Sequence, residues 1–245
     1  MRIVVILASI FFTALTTEEA KDVVRKSDER MRGKTSSAEI SIQIVRPSWS
    51  REIKIKTWAK GTELALLLVT YPAKEKGTVY LKRTKEVWNW VPSIERVIKL
   101  PPSMMSQSWM GTDFTNDDLV KESSVVDDYI HSFAGDSTVD GRNCYKIKMV
   151  PKPEAAIVWG KVLVWVDKKD YLQMRAEFYD EDNTLVSTMQ SSEIKTLGGR
   201  LLPSKIEMIP ADKKSQKTVM KYENIVFDSP IGDNFFSPEN MKRVQ

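Results

Sequence analysis

This chain has one cysteine, one histidine and ten glycines among its 245 residues. A lone thiol, Cys144, excludes an internal disulfide, so the fold must stand on its hydrophobic core. Cys144 lies in the strand-like run DGRNCYKIK with no base partner in view, and reads as a buried, inert thiol. The single histidine, His131, flanked by Ile130 and Phe133, cannot build a multi-histidine metal site and reads as structural or surface. There is no Gly-x-Ser-x-Gly elbow, phosphate loop or dinucleotide fingerprint. The run DFTNDDLVKE lacks the glycine and terminal glutamate of a calcium loop. Asp117 and Asp118 fall in the first turn of an expected short helix, where carboxylates offset the dipole. Asp127 and Asp128, adjacent on an expected strand, face opposite ways and cannot converge. No catalytic group, metal or cofactor is expected.

A surplus of one charge is missing too. Thirty-seven basic and 33 acidic residues give a net charge of +4, closely interleaved. That pattern suits a solvated surface and not a nucleic-acid stripe. Gly-rich, Gln-rich and Pro-rich tracts are absent, so no linker divides the chain.

One apolar run is long: Ile3–Leu15, thirteen residues after Arg2. It is too short to cross a bilayer core of about 30 Å as a helix and suits the apolar centre of a secretory leader. Ala14 would stand at −3 for a cut after Thr16. No cysteine lies nearby to carry a lipid anchor. The expected organisation is a leader over residues 1–16 and one exported domain over 17–245.

What is present is mostly strand. The stretch TTEEAKDVVRKSDERMRG predicts one amphipathic helix. Thr16 and Glu19 form a capping box, Ala20, Val23, Val24, Ser27 and Met31 share a face, and Gly33 ends it. In SAEISIQIV, residues Ala38, Ile40, Ile42 and Ile44 alternate with polar ones, and in REIKIKTW Ile53 and Ile55 oppose Lys54, Lys56 and Trp58. Strand-like runs continue to the C-terminus, separated by short turn signals such as DG at 140–141 and GG at 198–199. The fold class expected is mainly β with a few helices. It is a curved antiparallel sheet forming an incomplete, half-open barrel, covered by the N-terminal helix and a short helical lid.

Some strands break the alternation expected of a sheet with one wet face. In EVWNWV, Val87 and Val91 point one way and Trp88 and Trp90 the other; KVLVWV and ELALLLVTY are also apolar on both parities. Something must cover the second face, and the N-terminal helix and segment 101–120 are the covers expected. Within KLPPSMMSQSWMG, Pro101 and Pro102 end a strand, Met105 and Trp109 fall at helical spacing, and Met104 and Met110 widen the apolar face. Thr115 and Asp118 cap a second short helix. Such a segment is either a permanent plug or a movable lid. Methionine adapts to irregular apolar partners, and seven tryptophans leave a sugar-stacking module as a rival, although only Asn89 offers polar company beside the rings. An acyl chain of about sixteen carbons exposes methylenes worth about 0.8 kcal/mol each, roughly 12 kcal/mol in all. Only a cavity of comparable apolarity offsets that.

The blocks SREIKIKTWAKG, AKEKGTVYLKR, VWNWVPSIERVIKLPPSMMSQSWMGTDFTNDDLVKES, DGRNCYKIKMVPKP, VWGKVLVWVDKKDYL and FFSPENMKRV resemble the outer-membrane lipoprotein-sorting protein family. This is a branch of the LolA/LolB-like periplasmic carriers. The resemblance runs from about residue 18 to the C-terminus. It implies an unclosed barrel whose apolar concave face receives acyl chains, and a non-catalytic carrier role between inner and outer membranes. The partners it implies are lipoprotein acyl chains or phospholipid, an inner-membrane transporter, an outer-membrane acceptor and transient membrane contact. Relatives that serve resistance-nodulation-division exporters make a phospholipid shuttle the alternative. The chain is expected to be a periplasmic monomer. Leu66, Leu68, Trp88, Trp90, Met104, Met105, Trp109 and Met110 are expected to line or close the cavity. The lysines around Lys54, Lys56, Lys74 and Lys76 would either be solvated or meet anionic headgroups.

Overall fold

The structure, a computed structural model, describes residues 16–120, 124–155, 157–213 and 215–244. Apart from Thr16, the expected leader lies outside the described residues. Helix α1 (Thr17–Arg32) begins with the capping box read from the sequence: the Glu19 N–H donates to Thr16 Oγ1 at 3.2 Å and the Thr16 N–H to Glu19 Oε2 at 2.6 Å. It ends at Gly33, whose φ of 65° few other residues adopt at low cost. Ala20, Val23, Val24 and Ser27 form its buried face.

Thirteen strands follow in one antiparallel sheet. They are β1 (Thr35–Val45), β2 (Ser50–Lys60), β3 (Leu64–Tyr71), β4 (Val79–Arg83), β5 (Glu86–Val91), β6 (Arg96–Leu100) and β7 (Tyr129–Val139). The remainder are β8 (Arg142–Pro151), β9 (Lys161–Asp167), β10 (Gln173–Tyr179), β11 (Leu185–Leu197), β12 (Arg200–Pro210) and β13 (Lys217–Phe227). The spatial order is β6-β5-β4-β3-β2-β1-β13-β12-β11-β10-β9-β8-β7. Pairing of the first strand with the last joins two meanders into one sheet that does not close, because β6 and β7 are its free edges. Tight turns set the registers. Asp140 and Gly141 (φ 48° and 76°) and Gly198 and Gly199 (φ 54° and 78°) supply the positive φ pairs that two-residue hairpins need.

Alternation places Ile40, Ile42, Ile44, Ile53 and Ile55 in one buried layer, which is the concave face. Helix α1 lies over the β7–β10 half of that face, with Ala20, Val23 and Val24 against Tyr129, Ile147, Met149, Val162 and Val164. From the free edge at β6, residues 101–120 run over the open side of the sheet, and residues 124–128 lead into β7 at the other free edge.

Two expectations change here. Segment 101–111 is not a helix beyond a single 3-10 turn, Pro102–Met104. Past it the chain folds back on itself: Met110 and Gly111 take positive φ, the Trp109 N–H donates to Phe114 O at 2.9 Å, and Ser108 bridges to Thr115. The second helix, α2 (Asn116–Val120), is present with its expected Thr115–Asp118 cap. Asp127 and Asp128 lie in a turn before β7, where Asp128 Oδ2 accepts from the Ser124 N–H at 2.7 Å. They cap that turn and do not straddle a strand.

Candidate functional site

Between α1, the cap segment and the concave sheet lies a cavity of about 320 Å³. That volume is at the small end of ligand pockets, about 300–1,000 Å³. Its walls are mainly hydrocarbon: Val24 and Met31 from α1, Phe114 and Leu119 from the cap, and Ile40, Ile55, Leu67, Val164, Ile206 and Met220 from the sheet. The period-two pattern delivers these residues, since each strand contributes every second side chain.

Charged groups also border the cavity. Asp28 and Arg32, one helical turn apart, pair at 2.7 Å. The Lys82 ammonium is buried and donates to Thr62 O at 2.7 Å. Asp117 and Asp118 at the start of α2 lie near Tyr129, whose phenol is held well above its ordinary range, first by burial and then by the carboxylates of Asp117, Asp118 and Asp128. Burial likewise raises Tyr80 and Tyr222. Among the described residues no group of three His, Cys, Asp or Glu side chains is placed to hold a metal ion.

The residues singled out from the sequence separate into two places. Met105 and Trp109 are buried under the cap in the concave core, and Met104 and Met110 pack against the same cluster. Trp109 is fully enclosed, its ring 6.0 Å from that of Tyr80. Leu66 and Leu68 belong instead to a cluster with Val79, Leu81, Phe236 and Met241, against which Trp88 and Trp90 pack. Of the eight, only Leu66 also borders the cavity. The cover over Leu66, Leu68, Trp88 and Trp90 is the C-terminal segment, its 3-10 turn Asp233–Phe235 and helix α3 (Pro238–Met241), and neither α1 nor the cap.

Several cavity residues were missed: Phe114, Leu119, Met149, Trp159, Ile206 and Tyr222. Strand parity offered a signal for some of them, since Met220 and Tyr222 alternate with Lys221. The tryptophans do not gather on one platform. Trp58, Trp88 and Trp90 lie under the C-terminal segment, Trp109 under the cap, Trp159 at the cavity, Trp165 in a fourth cluster, and Trp49 is exposed.

An unclosed antiparallel half-barrel carrying α1 and a cap on its concave side is the LolA-like fold. Three solved structures share it. A DUF1329 family protein from Desulfovibrio piger ATCC 29098 is 23% identical at a TM-score of 0.83, over 92% of this chain and 98% of that one. A domain named for outer membrane lipoprotein sorting, from Vibrio parahaemolyticus, is 19% identical at a TM-score of 0.82, over 93% and 100%. A LolA superfamily protein from Nitrosomonas europaea is 22% identical at a TM-score of 0.77, over 90% and 98%. At these identities the likeness is one of fold. A family model described as "Uncharacterized protein" matches residues 61–243, and the chain belongs to that family. No curated protein matches. No helix among the described residues is long and apolar enough to cross a membrane.

Proposed function

We propose that this protein is a non-catalytic periplasmic carrier that shelters the acyl chains of lipoproteins, or of free lipids, on the way to the outer membrane. The observation that carries the reading is the cavity of about 320 Å³ between α1, the cap and the concave sheet, walled by aliphatic and aromatic side chains. Transfer of hydrocarbon from a membrane through water is costly per methylene, and such a wall offsets that cost. The LolA-like fold agrees with this use. In this reading a leader is cleaved near Thr16, the chain beyond it forms the carrier, and Met104, Met105, Trp109 and Met110 hold the cap closed over the ligand. A donor complex in the inner membrane and an acceptor in the outer one would complete the route, with the carrier acting as a monomer.

Mild purification from the native host followed by lipid mass spectrometry tests it. Co-purified triacylated peptide supports lipoprotein sorting, and phospholipid supports the shuttle version. Repeated absence of any acyl species, together with failure to take up acyl probes in vitro, overturns the reading.

A further inference from the structure

The cavity wall is not hydrocarbon throughout. Tyr222 sits on β13 between Met220 and Ile225, paired across the sheet with Ile40, and borders the cavity with all three. Tyr222 is part-buried, and its hydroxyl makes no hydrogen bond among the described residues. Ser191, on β11, borders the same cavity, is only 2% exposed, and likewise lacks a partner among the described residues. Buried hydroxyls in folded proteins nearly always have partners. The Tyr222 and Ser191 hydroxyls are open to the cavity instead, on strands otherwise presenting Met189, Met220 and Ile225 to it, so hydrocarbon that fills the cavity strips their water and each then needs an acceptor from the ligand.

The chemistry of that partner follows from its surroundings. An acyl lipid carries one strong polar atom next to its hydrocarbon, the carbonyl oxygen of its ester or amide link. That atom only accepts, and it needs a donor inside an apolar wall. Tyr and Ser hydroxyls are such donors. We propose that Tyr222, with Ser191 as a second donor, hydrogen-bonds the carbonyl oxygen of an ester-linked acyl chain, so that the cavity selects acyl esters over alkyl chains that lack a carbonyl. The inference rests on the carrier reading and adds to it a choice of linkage.

The test uses the full mature chain and two matched probes, 1-lauroylglycerol and its ether analogue 1-O-dodecylglycerol. Binding is read by displacement of diphenylhexatriene below the micellar concentrations. The wild type should bind the ester roughly three- to tenfold more tightly than the ether, the range one hydrogen bond supplies. Tyr222→Phe should bind the ether as the wild type does and lose most of that preference; Ser191→Ala should lose part of it. Equal binding of both probes by the wild type, or a full preference kept by Tyr222→Phe, overturns the linkage selection and leaves the carrier reading standing. Failure of both probes to bind overturns both. The fold supplies a second check. Phenylalanine fills the same space and removes an unpaired hydroxyl, so ligand-free Tyr222→Phe should melt no lower than the wild type. A clear fall in melting temperature would reveal a structural partner for the hydroxyl and overturn the proposal.

Discussion

Arg46 holds Asp113 with both guanidinium nitrogens, Nη1 donating to Oδ2 at 2.9 Å and Nη2 to Oδ1 at 3.0 Å, and both side chains are nearly buried. The same arginine donates to Gly111 O at 3.2 Å, while Asp113 Oδ2 accepts from Thr218 Oγ1 at 2.7 Å. The tip of the cap is thereby tied to the end of β1 and to the start of β13. Removal of one partner leaves the other charged and largely out of water, which costs about 3–5 kcal/mol. Asp113→Ala should therefore lower unfolding stability by about that amount, or free the cap locally at a smaller global cost. Hydrogen exchange over residues 105–115 should accelerate while β1 and β13 stay protected. Unchanged exchange there would mean that the ion pair does not secure the cap.

Trp109 tests how firmly the cap is packed. It is wholly enclosed beside Tyr80, Phe114 and Met105, and truncation of a buried aromatic costs about 3–5 kcal/mol. Trp109→Ala should shift the urea midpoint accordingly, and an acyl probe should exchange faster from the variant. A loss below about 1 kcal/mol would identify a cap only loosely seated on the sheet.

The convex side makes a separate prediction. Phe236 is fully buried against Leu66, Leu68, Val79 and Leu81, with Met241 beside it. Phe236→Ala should cost about 3–5 kcal/mol. A chain ending at Ser229 should bare this patch, bind 8-anilinonaphthalene-1-sulfonate and self-associate. A truncated chain that stays monomeric and dye-free would show the segment to be dispensable.

These two covers also mark where the sequence is legible. The strands are readable because alternation is local: Ile40, Ile42 and Ile44 declare one face without reference to any other part of the chain. The Thr16–Glu19 box is readable for the same reason, since both of its bonds close within one turn. Met105 and Trp109 misled because a spacing of four suits a helix and also suits a loop that turns back at Met110 and Gly111. The choice between them rests on the bond from the Trp109 N–H to Phe114 O. The doubly apolar strands correctly announced a second covered face but did not say what covers it. Phe235, Phe236 and Met241 lie over 140 residues from Trp88 and Trp90 in sequence, and so short an apolar run has no period to read. Tyr222 was hidden in turn because its alternation shows the face it occupies and not the missing partner of its hydroxyl.

His131 supplies a dependence on pH. It is 1% exposed, and its Nε2 lies 2.8 Å from Val125 O. Burial, helped by the positive charges of Lys21 and Lys152, lowers its pKa below the ordinary 6.5, against the opposing pull of the Val125 carbonyl and Asp127. In the folded chain the ring stays neutral where the unfolded chain would already bind a proton. Between the two pKa values the unfolded state binds more protons, so stability rises with pH. The contribution is complete above the unfolded value and is lost as pH falls through the folded one. Urea unfolding at pH 7.5 and at pH 5.5 should give the lower midpoint at pH 5.5. His131→Gln, which keeps an amide near Val125 O but does not titrate, should reduce that difference. An undiminished difference in the variant would assign the acid sensitivity to other groups.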